Sequence, residues 1–262
     1  MYVSEEQLNH FKTFGFVIFR QIFTPEEINR YRQEMDEGLN RRIPGGVHDG
    51  KERFWACLID DDTPFVRSFL DDDRFVDSAE QLLGRSVLGV GGDSNYYVGD
   101  TQWHPDNRSA HHEGVKFTVY LDPVGGTSGA LRVIPGSHKE PYHSAIQRDT
   151  MAAYGLRGDQ IPAYAFDSRP GDALVFNTRT WHAAFGGSSK RRMSTIQYYA
   201  DPQTPEAVLD FKAVFTRVHD GYWRKFQGPW FPQSWRQIDD PRHQRWVRRL
   251  DELEVLETPV AV

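Results

Sequence analysis

Short β-type segments separated by turn residues fill the middle of the chain, and they constrain its fold more than any other feature. The candidate strands are residues 87–90, 94–98, 115–121, 131–134, 173–176 and 194–199. Strands that follow one another without a helix between each pair favour a sandwich or a double-sheet jelly roll over an alternating βαβ fold. We therefore expect a mainly β core, with helices packed on the outside of one sheet.

The segments on either side of this core have helical patterns. Ser4 and Thr24 each begin a capping box, because Gln7 and Glu27 stand three residues further on. Helical character continues in residues 28–39, 64–70, 77–83, 211–218 and 242–253. We predict a single domain over residues 1–262, with N-terminal helices in 1–85, a jelly-roll core in 86–200 and a helical, aromatic extension in 201–262.

Composition and charge exclude several functional classes. The net charge of −6 over 262 residues argues against a general nucleic-acid binder, which is normally basic. No apolar run approaches the roughly 20 residues of a membrane span. The single cysteine, Cys57, allows no internal disulfide and fits a reducing compartment. The first residues lack the basic and apolar pattern of a secretion signal, so we expect a cytoplasmic protein.

A histidine and an aspartate two residues apart, His104 and Asp106, form the first candidate site. On an extended segment these side chains point to the same face, because strand side chains alternate. A buried histidine bonded to a carboxylate is the common structural explanation of such a pair. With one more histidine, the pair would instead form the two-histidine, one-carboxylate site of non-haem Fe(II) oxygenases.

The candidate third ligand is His182, which follows an apolar strand and a turn. Such a metal site leaves positions open for O2 and for 2-oxoglutarate, whose distal carboxylate needs a cation. Arg191 and Arg192 come after the turn-like residues 186–189, and a returning antiparallel strand would bring one of them to the site. Alternation allows only one arginine to point inward, and spacing alone leaves the choice open.

At this point the sequence resembles the phytanoyl-CoA dioxygenase-like family of Fe(II)/2-oxoglutarate oxygenases. The resemblance rests on an ordered set of segments: 14–18, 23–27, Trp103-His104-Pro105-Asp106, 129–138, Pro170-Gly171-Asp172, His182 and Arg191-Arg192. These segments span roughly residues 5–200. An ordered set of this kind is far more specific than a His-x-Asp pair alone.

The resemblance implies a double-stranded β-helix, a jelly-roll or cupin-like barrel, with Fe(II) at its mouth. It implies His104, Asp106 and His182 as iron ligands and favours Arg191 over Arg192 as the 2-oxoglutarate anchor. The family's spacing from the histidine to the arginine is commonly slightly longer, so the choice between the arginines stays open. Further candidates for contacts with the co-substrate are Lys116, Thr118, Gln102 and Tyr96.

The carboxylate of Asp106 also bears on the type of reaction. In related halogenases a small residue replaces it, so its presence here favours hydroxylation of a C–H bond in a small metabolite or natural product, with release of succinate and CO2. Desaturation, ring formation or demethylation at the same iron site is the alternative. A non-catalytic jelly-roll binding protein is the second alternative. The aromatic cluster of residues 223–235 is a candidate lid or homodimer contact.

Overall fold

The fold is that of a computed structural model, which describes residues 2–146, 155–187, 191–226 and 228–256. Within these ranges the helices are α1 (Glu5–Phe14), α2 (Pro25–Asn40), α3 (Pro64–Ser68), α4 (Asp73–Leu83), α5 (Tyr142–Ala145), α6 (Pro205–Phe226) and α7 (Pro241–Glu252). Both predicted capping boxes form, on Ser4 and on Thr24. In the described ranges no helix combines the length and the apolar character needed to cross a membrane.

Two antiparallel sheets form the centre of the fold. Their strands are β1 (Phe16–Phe19), β2 (Phe54–Ala56), β3 (Val87–Gly91), β4 (Ser94–Tyr97), β5 (Thr101–His104), β6 (Gly114–Tyr120), β7 (Leu131–Val133), β8 (Tyr164–Ala165), β9 (Ala173–Asn177), β10 (His182–Ala184) and β11 (Arg191–Ala200). The larger sheet has the order β1-β9-β6-β11-β4-β2, with β3 also paired to β11, and the smaller has the order β5-β10-β7-β8. The predicted class, mainly β with flanking helices, is confirmed.

Pairing between β6 and β11 determines which side chains face the smaller sheet. Thr118 lies opposite Thr195, and Lys116 lies opposite Gln197. Because alternate strand residues share a face, the inward set continues along both strands. On β11 this set is Arg191, Met193, Thr195, Gln197 and Tyr199. Its members run from one end of the space between the sheets to the other.

Helices α2 and α4 pack on the outer face of the larger sheet, where the main hydrophobic core lies. The C-terminal aromatic residues join this core: Trp230, Phe231 and Trp235 are all buried, and the Trp230 indole donates to the carbonyl of Val90 at 2.8 Å. The side chain of Trp223 lies outside the described part of the chain. The described aromatic side chains of this cluster therefore pack inside the chain's own core.

Candidate active site

Strands β5 and β10 bring His104 and His182 side by side. The two residues are direct partners in the antiparallel register of these strands, and their ring centroids lie 4.3 Å apart. Asp106 lies two residues beyond the end of β5. One ligand atom from each of the three residues lies within 4.8 Å of the others. The fold therefore closes the 76-residue gap between Asp106 and His182, which spacing alone could not do.

Backbone carbonyls orient both imidazole rings. His104 Nδ1 donates to the carbonyl of Gln102 at 2.8 Å, and His182 Nδ1 donates to that of Thr180 at 2.9 Å. Because a carbonyl only accepts, each Nδ1 carries a proton, and Nε2 is the ring nitrogen left to bind a metal. His182 Nε2 lies 3.8 Å from Asp106 Oδ1. This arrangement leaves two imidazole nitrogens and one carboxylate oxygen as the donors of the cluster.

Burial and a lysine set the charges of the cluster. Burial lowers the pKa of His182 to about 4, so its ring is neutral near pH 7. Burial alone would raise the pKa of Asp106, but the Lys116 ammonium outweighs this effect and holds the pKa well below its usual range. Lys116 Nζ lies 2.8 Å from Asp106 Oδ2. Neutral imidazoles and an ionised carboxylate are the protonation states that bind a divalent metal.

A cavity of about 150 Å³ adjoins this cluster in the space between the two sheets. His104, Asp106 and His182 lie on one side of it. Its other lining residues include Tyr97, Thr118, Tyr120, Leu131, Phe176 and Met193. We call this space the inner chamber. Its size and its mixed lining suit a small polar co-substrate.

Arg191 lies against Tyr97, at the end of β11 farthest from Tyr199. Its side chain is buried, its guanidinium carbon lies 5.1 Å from the centre of the Tyr97 ring, and its Nη2 donates to the carbonyl of Gly99 at 3.1 Å. Its Nε and Nη1 have no hydrogen-bond partner among the described residues. A Cβ at Gly129 or Gly187 would overlap this guanidinium, so both glycines make room for it. A buried cation with two free N–H directions is suited to a carboxylate.

Arg192 points to the opposite face of β11 and has different partners. Its guanidinium pairs with Asp122 at 2.6 Å and with Asp36 at 3.1 Å. Tyr96 is also turned away, since its hydroxyl donates to Asp36 Oδ1 at 2.7 Å. Two candidates from the sequence are thereby corrected: Arg192 and Tyr96 face α2, and Tyr97, one residue on, lines the inner chamber. A one-residue step along a strand reverses the face of a side chain.

The remaining sequence candidates have separate positions. Thr118 and Lys116 both line the inner chamber, as their alternation on β6 requires. The side chain of Gln102 is exposed, and this residue serves the site through its carbonyl oxygen, which orients His104. Tyr120 also lines the inner chamber and was not predicted from the sequence. Its spacing from Lys116 and Thr118 on β6 could have indicated this position, because alternate strand residues share a face.

A second and larger cavity, of about 400 Å³, opens beside the inner chamber, and we call it the outer chamber. The two share Arg53, Asp93 and Lys116 as lining residues. The outer chamber is also lined by Trp55, Val90, Gly92, Gln197, Tyr199, Val214, Phe215, Arg217, Val218, Gly221 and Trp230. Helix α6 therefore covers this end of the barrel, and the sequence did not reveal the contributions of Arg53 and Asp93.

His112 lies beneath this end of the barrel and gives a testable pH dependence. It is buried against Tyr199, and neither ring nitrogen has a hydrogen-bond partner among the described residues. Burial lowers its pKa from 6.5 to about 4. Between pH 6.5 and about 4, His112 is protonated in the unfolded chain but not in the folded one. The free energy of unfolding therefore falls as the pH drops through this interval, by roughly 2–3 kcal/mol from this group.

We expect His112→Leu to reduce the slope of the free energy of unfolding against pH over this interval, and the other histidines whose pKa burial lowers, among them His138 and His219, to keep part of it. Urea unfolding at several pH values measures the slope. His111→Leu, a neighbouring exposed position, is the matched control and should keep the wild-type slope. An unchanged slope in His112→Leu would mean that the His112 ring is not held neutral.

A jelly roll with this histidine and aspartate cluster beside an inward-facing arginine is typical of non-haem Fe(II)- and 2-oxoglutarate-dependent oxygenases. The family model "Phytanoyl-CoA dioxygenase (PhyH)" matches residues 11–194, and the chain belongs to that family. The resemblance seen in the sequence is thereby confirmed, and the protein is an Fe(II)/2-oxoglutarate-dependent dioxygenase by family.

Named relatives agree with this assignment. The chain is 26% identical to the ectoine dioxygenase of Streptomyces anulatus over 267 residues, which cover 87% of this chain and 82% of that protein. It is 23% identical to the multifunctional dioxygenase prhA of Penicillium brasilianum, covering 69% of this chain and 66% of that protein. The crystal structure of EctD from S. alaskensis with bound Fe superposes with a TM-score of 0.61 at 20% identity, covering 78% of this chain and 80% of that one. This likeness confirms the jelly-roll fold.

Proposed function

We propose that the protein hydroxylates an unactivated C–H bond of a small metabolite or natural product, using Fe(II), 2-oxoglutarate and O2 and releasing succinate and CO2. The observation that carries the proposal is the cluster of possible metal ligands His104, Asp106 and His182 at the inner chamber, together with the buried guanidinium of Arg191, which lies on the larger sheet against Tyr97. The family membership and the presence of the Asp106 carboxylate support it.

The donor set fits the metal. His104 and His182 would bind Fe(II) through Nε2, since each Nδ1 is engaged by a carbonyl. Asp106 would bind through Oδ1, because Oδ2 is paired with Lys116. Three ligands leave coordination positions open. Together with O2, bound Fe(II) and 2-oxoglutarate would supply an oxidant able to remove hydrogen from a C–H bond.

The other residues position the reactants. Arg191 would hold the distal carboxylate of 2-oxoglutarate with its two free N–H directions, and Thr118 and Tyr120 would line the path towards the metal ligands. Lys116 holds Oδ2 of Asp106 and so keeps this carboxylate in one orientation. The buried walls of the inner chamber limit water around the reacting atoms. The outer chamber, on the other side of Lys116, would take the substrate.

Anaerobic spectroscopy tests the site. Adding Fe(II) and 2-oxoglutarate together should give a weak visible absorption band in the wild-type protein. We expect His182→Ala to abolish the band, and His104→Ala likewise, because each removes one of three ligands. His111→Ala, an exposed histidine outside the cluster, should keep it. A wild-type protein without the band, or a His182→Ala variant that retains it, would contradict the assigned ligands.

Product analysis separates hydroxylation from the other oxidations. A hydroxylated product gains one oxygen atom derived from O2, whereas desaturation and ring formation each remove two hydrogen atoms without adding oxygen. Mass spectrometry after turnover in ¹⁸O2 makes the distinction. A product without labelled oxygen would replace the hydroxylase by one of these alternatives.

A further inference from the structure

Among the described residues, one cation that lines the outer chamber has no ion-pair partner. Of the chamber's charged lining residues, Arg53 pairs with Asp93 at 3.0 Å, and Lys116 pairs with Asp106. Arg217, on α6, forms no ion pair or hydrogen bond with any residue that the structure describes. In a chain of net charge −6, an arginine left unpaired at the wall of a cavity is available to a ligand.

A second polar group lines the same chamber. The Tyr199 hydroxyl accepts a hydrogen bond from Gln197 Nε2 at 2.7 Å. Its own proton has no acceptor among the described side chains and carbonyls, so the hydroxyl is free to donate. Donors next to a guanidinium complement the oxygen atoms of an anion.

The rest of the lining is apolar and aromatic. It comprises Trp55, Val90, Val214, Phe215, Val218 and Trp230. Flat rings and branched aliphatic side chains of this kind bind the apolar body of a ligand and offer nothing to a strongly hydrated one. At about 400 Å³ the chamber exceeds the inner one, so it has room for a ring-containing molecule.

We propose that the substrate is an amphipathic anion: an apolar, ring-sized body packed against Trp55, Phe215 and Trp230, with one anionic group bound by Arg217 and Tyr199. This inference rests on the proposed function and specifies its substrate class. Carboxylate and phosphate groups share the chemistry that Arg217 recognises, and the experiment below separates them.

The placement of Arg217 also orients the substrate. Arg217 lines only the outer chamber, whereas Lys116 lines both chambers and contacts the metal-ligating carboxylate. With its anionic group on α6, the substrate presents its other end to the metal centre.

Binding of three matched probes tests the substrate class. 1-Naphthylacetate, 1-naphthyl phosphate and the neutral 1-naphthylacetamide share one aromatic body, and calorimetry gives the affinity of each, with and without metal and 2-oxoglutarate. We expect the better anion to bind about tenfold more tightly than the amide, as a charge-assisted contact at a partly exposed site provides. The preferred anion identifies the group. Equal binding of all three, or no binding of any, would overturn the proposal.

Variants assign the preference to one residue. Arg217→Gln should bring the anions down to the affinity of the amide, and Arg217→Glu should make them weaker than it. Arg224→Gln changes an exposed arginine on the same helix, outside the chamber, and should leave the preference unchanged. An anion preference that survives Arg217→Glu would refute the role of Arg217. Because the probes are measured on metal-free protein as well, failure of iron binding would be seen separately.

Discussion

Replacing Arg191 with glutamine is expected to weaken 2-oxoglutarate binding about 100-fold. The variant removes a buried, two-pronged cation whose Nε and Nη1 have no partner among the described residues, and a charge-assisted pair in such a place contributes about 3 kcal/mol. Titration of 2-oxoglutarate into anaerobic Fe(II)-loaded protein, followed by the visible band, measures the affinity. The metal-free variant should be at least as stable as the wild type, because an unpaired buried charge is lost.

The adjacent arginine is the matched control. Arg192→Gln removes the ion pairs with Asp36 and Asp122, which are partly exposed, so we expect a loss of about 1 kcal/mol in the free energy of unfolding. Its 2-oxoglutarate affinity should stay within about twofold of the wild type. The two variants thus separate affinity from stability. If Arg192→Gln lost the affinity and Arg191→Gln kept it, the anchor would have been assigned to the wrong face of β11.

Local chemistry accounts for what the sequence predicted well. The capping boxes at Ser4 and Thr24 need only residues three positions apart, and both helices begin where those patterns place them. The segment predicted as strand 115–121 is observed as β6 (Gly114–Tyr120), because alternation within one strand is also a local property. The same alternation correctly predicts that only one of Arg191 and Arg192 faces inward.

Features that depend on contacts between distant segments could not be predicted from the sequence. One misplaced boundary is instead local: helix α4 begins at Asp73 and not at the predicted residue 77, because Asp72 caps it by accepting from the backbone N–H of Arg74. Tyr96 was a candidate from the sequence, whereas Tyr97 lines the inner chamber, because the phase of β4 is set by its pairing with β11, which spacing does not reveal. Likewise, Arg53 lines both chambers although it stands just before β2, more than 50 residues before Asp106 in the sequence. Pairing partners far apart in sequence have no local signature.

Replacing Lys116, whose ammonium faces Asp106, should make the stability of the protein depend more strongly on bound metal. In Lys116→Met the carboxylate keeps a largely buried position without its 2.8 Å partner, and we expect the metal-free protein to lose about 3 kcal/mol in the free energy of unfolding. A divalent cation bound at His104, Asp106 and His182 would supply the missing positive charge. Thermal unfolding with and without Co(II) should therefore show a larger metal-induced rise in Tm for Lys116→Met than for the wild type.

A double variant distinguishes this coupling from simple loss of packing. Asp106→Asn combined with Lys116→Met removes both charges, so the metal-free double variant should be more stable than Lys116→Met alone, and Co(II) should stabilise it least. If Lys116 served only to fill space, adding Asp106→Asn would restore nothing. Equal metal-induced shifts in Lys116→Met and the wild type would likewise show that Lys116 does not set the charge of the carboxylate. The expected pattern ties one lysine of β6 to the metal site, because its ammonium and the metal compensate the same buried carboxylate from two sides.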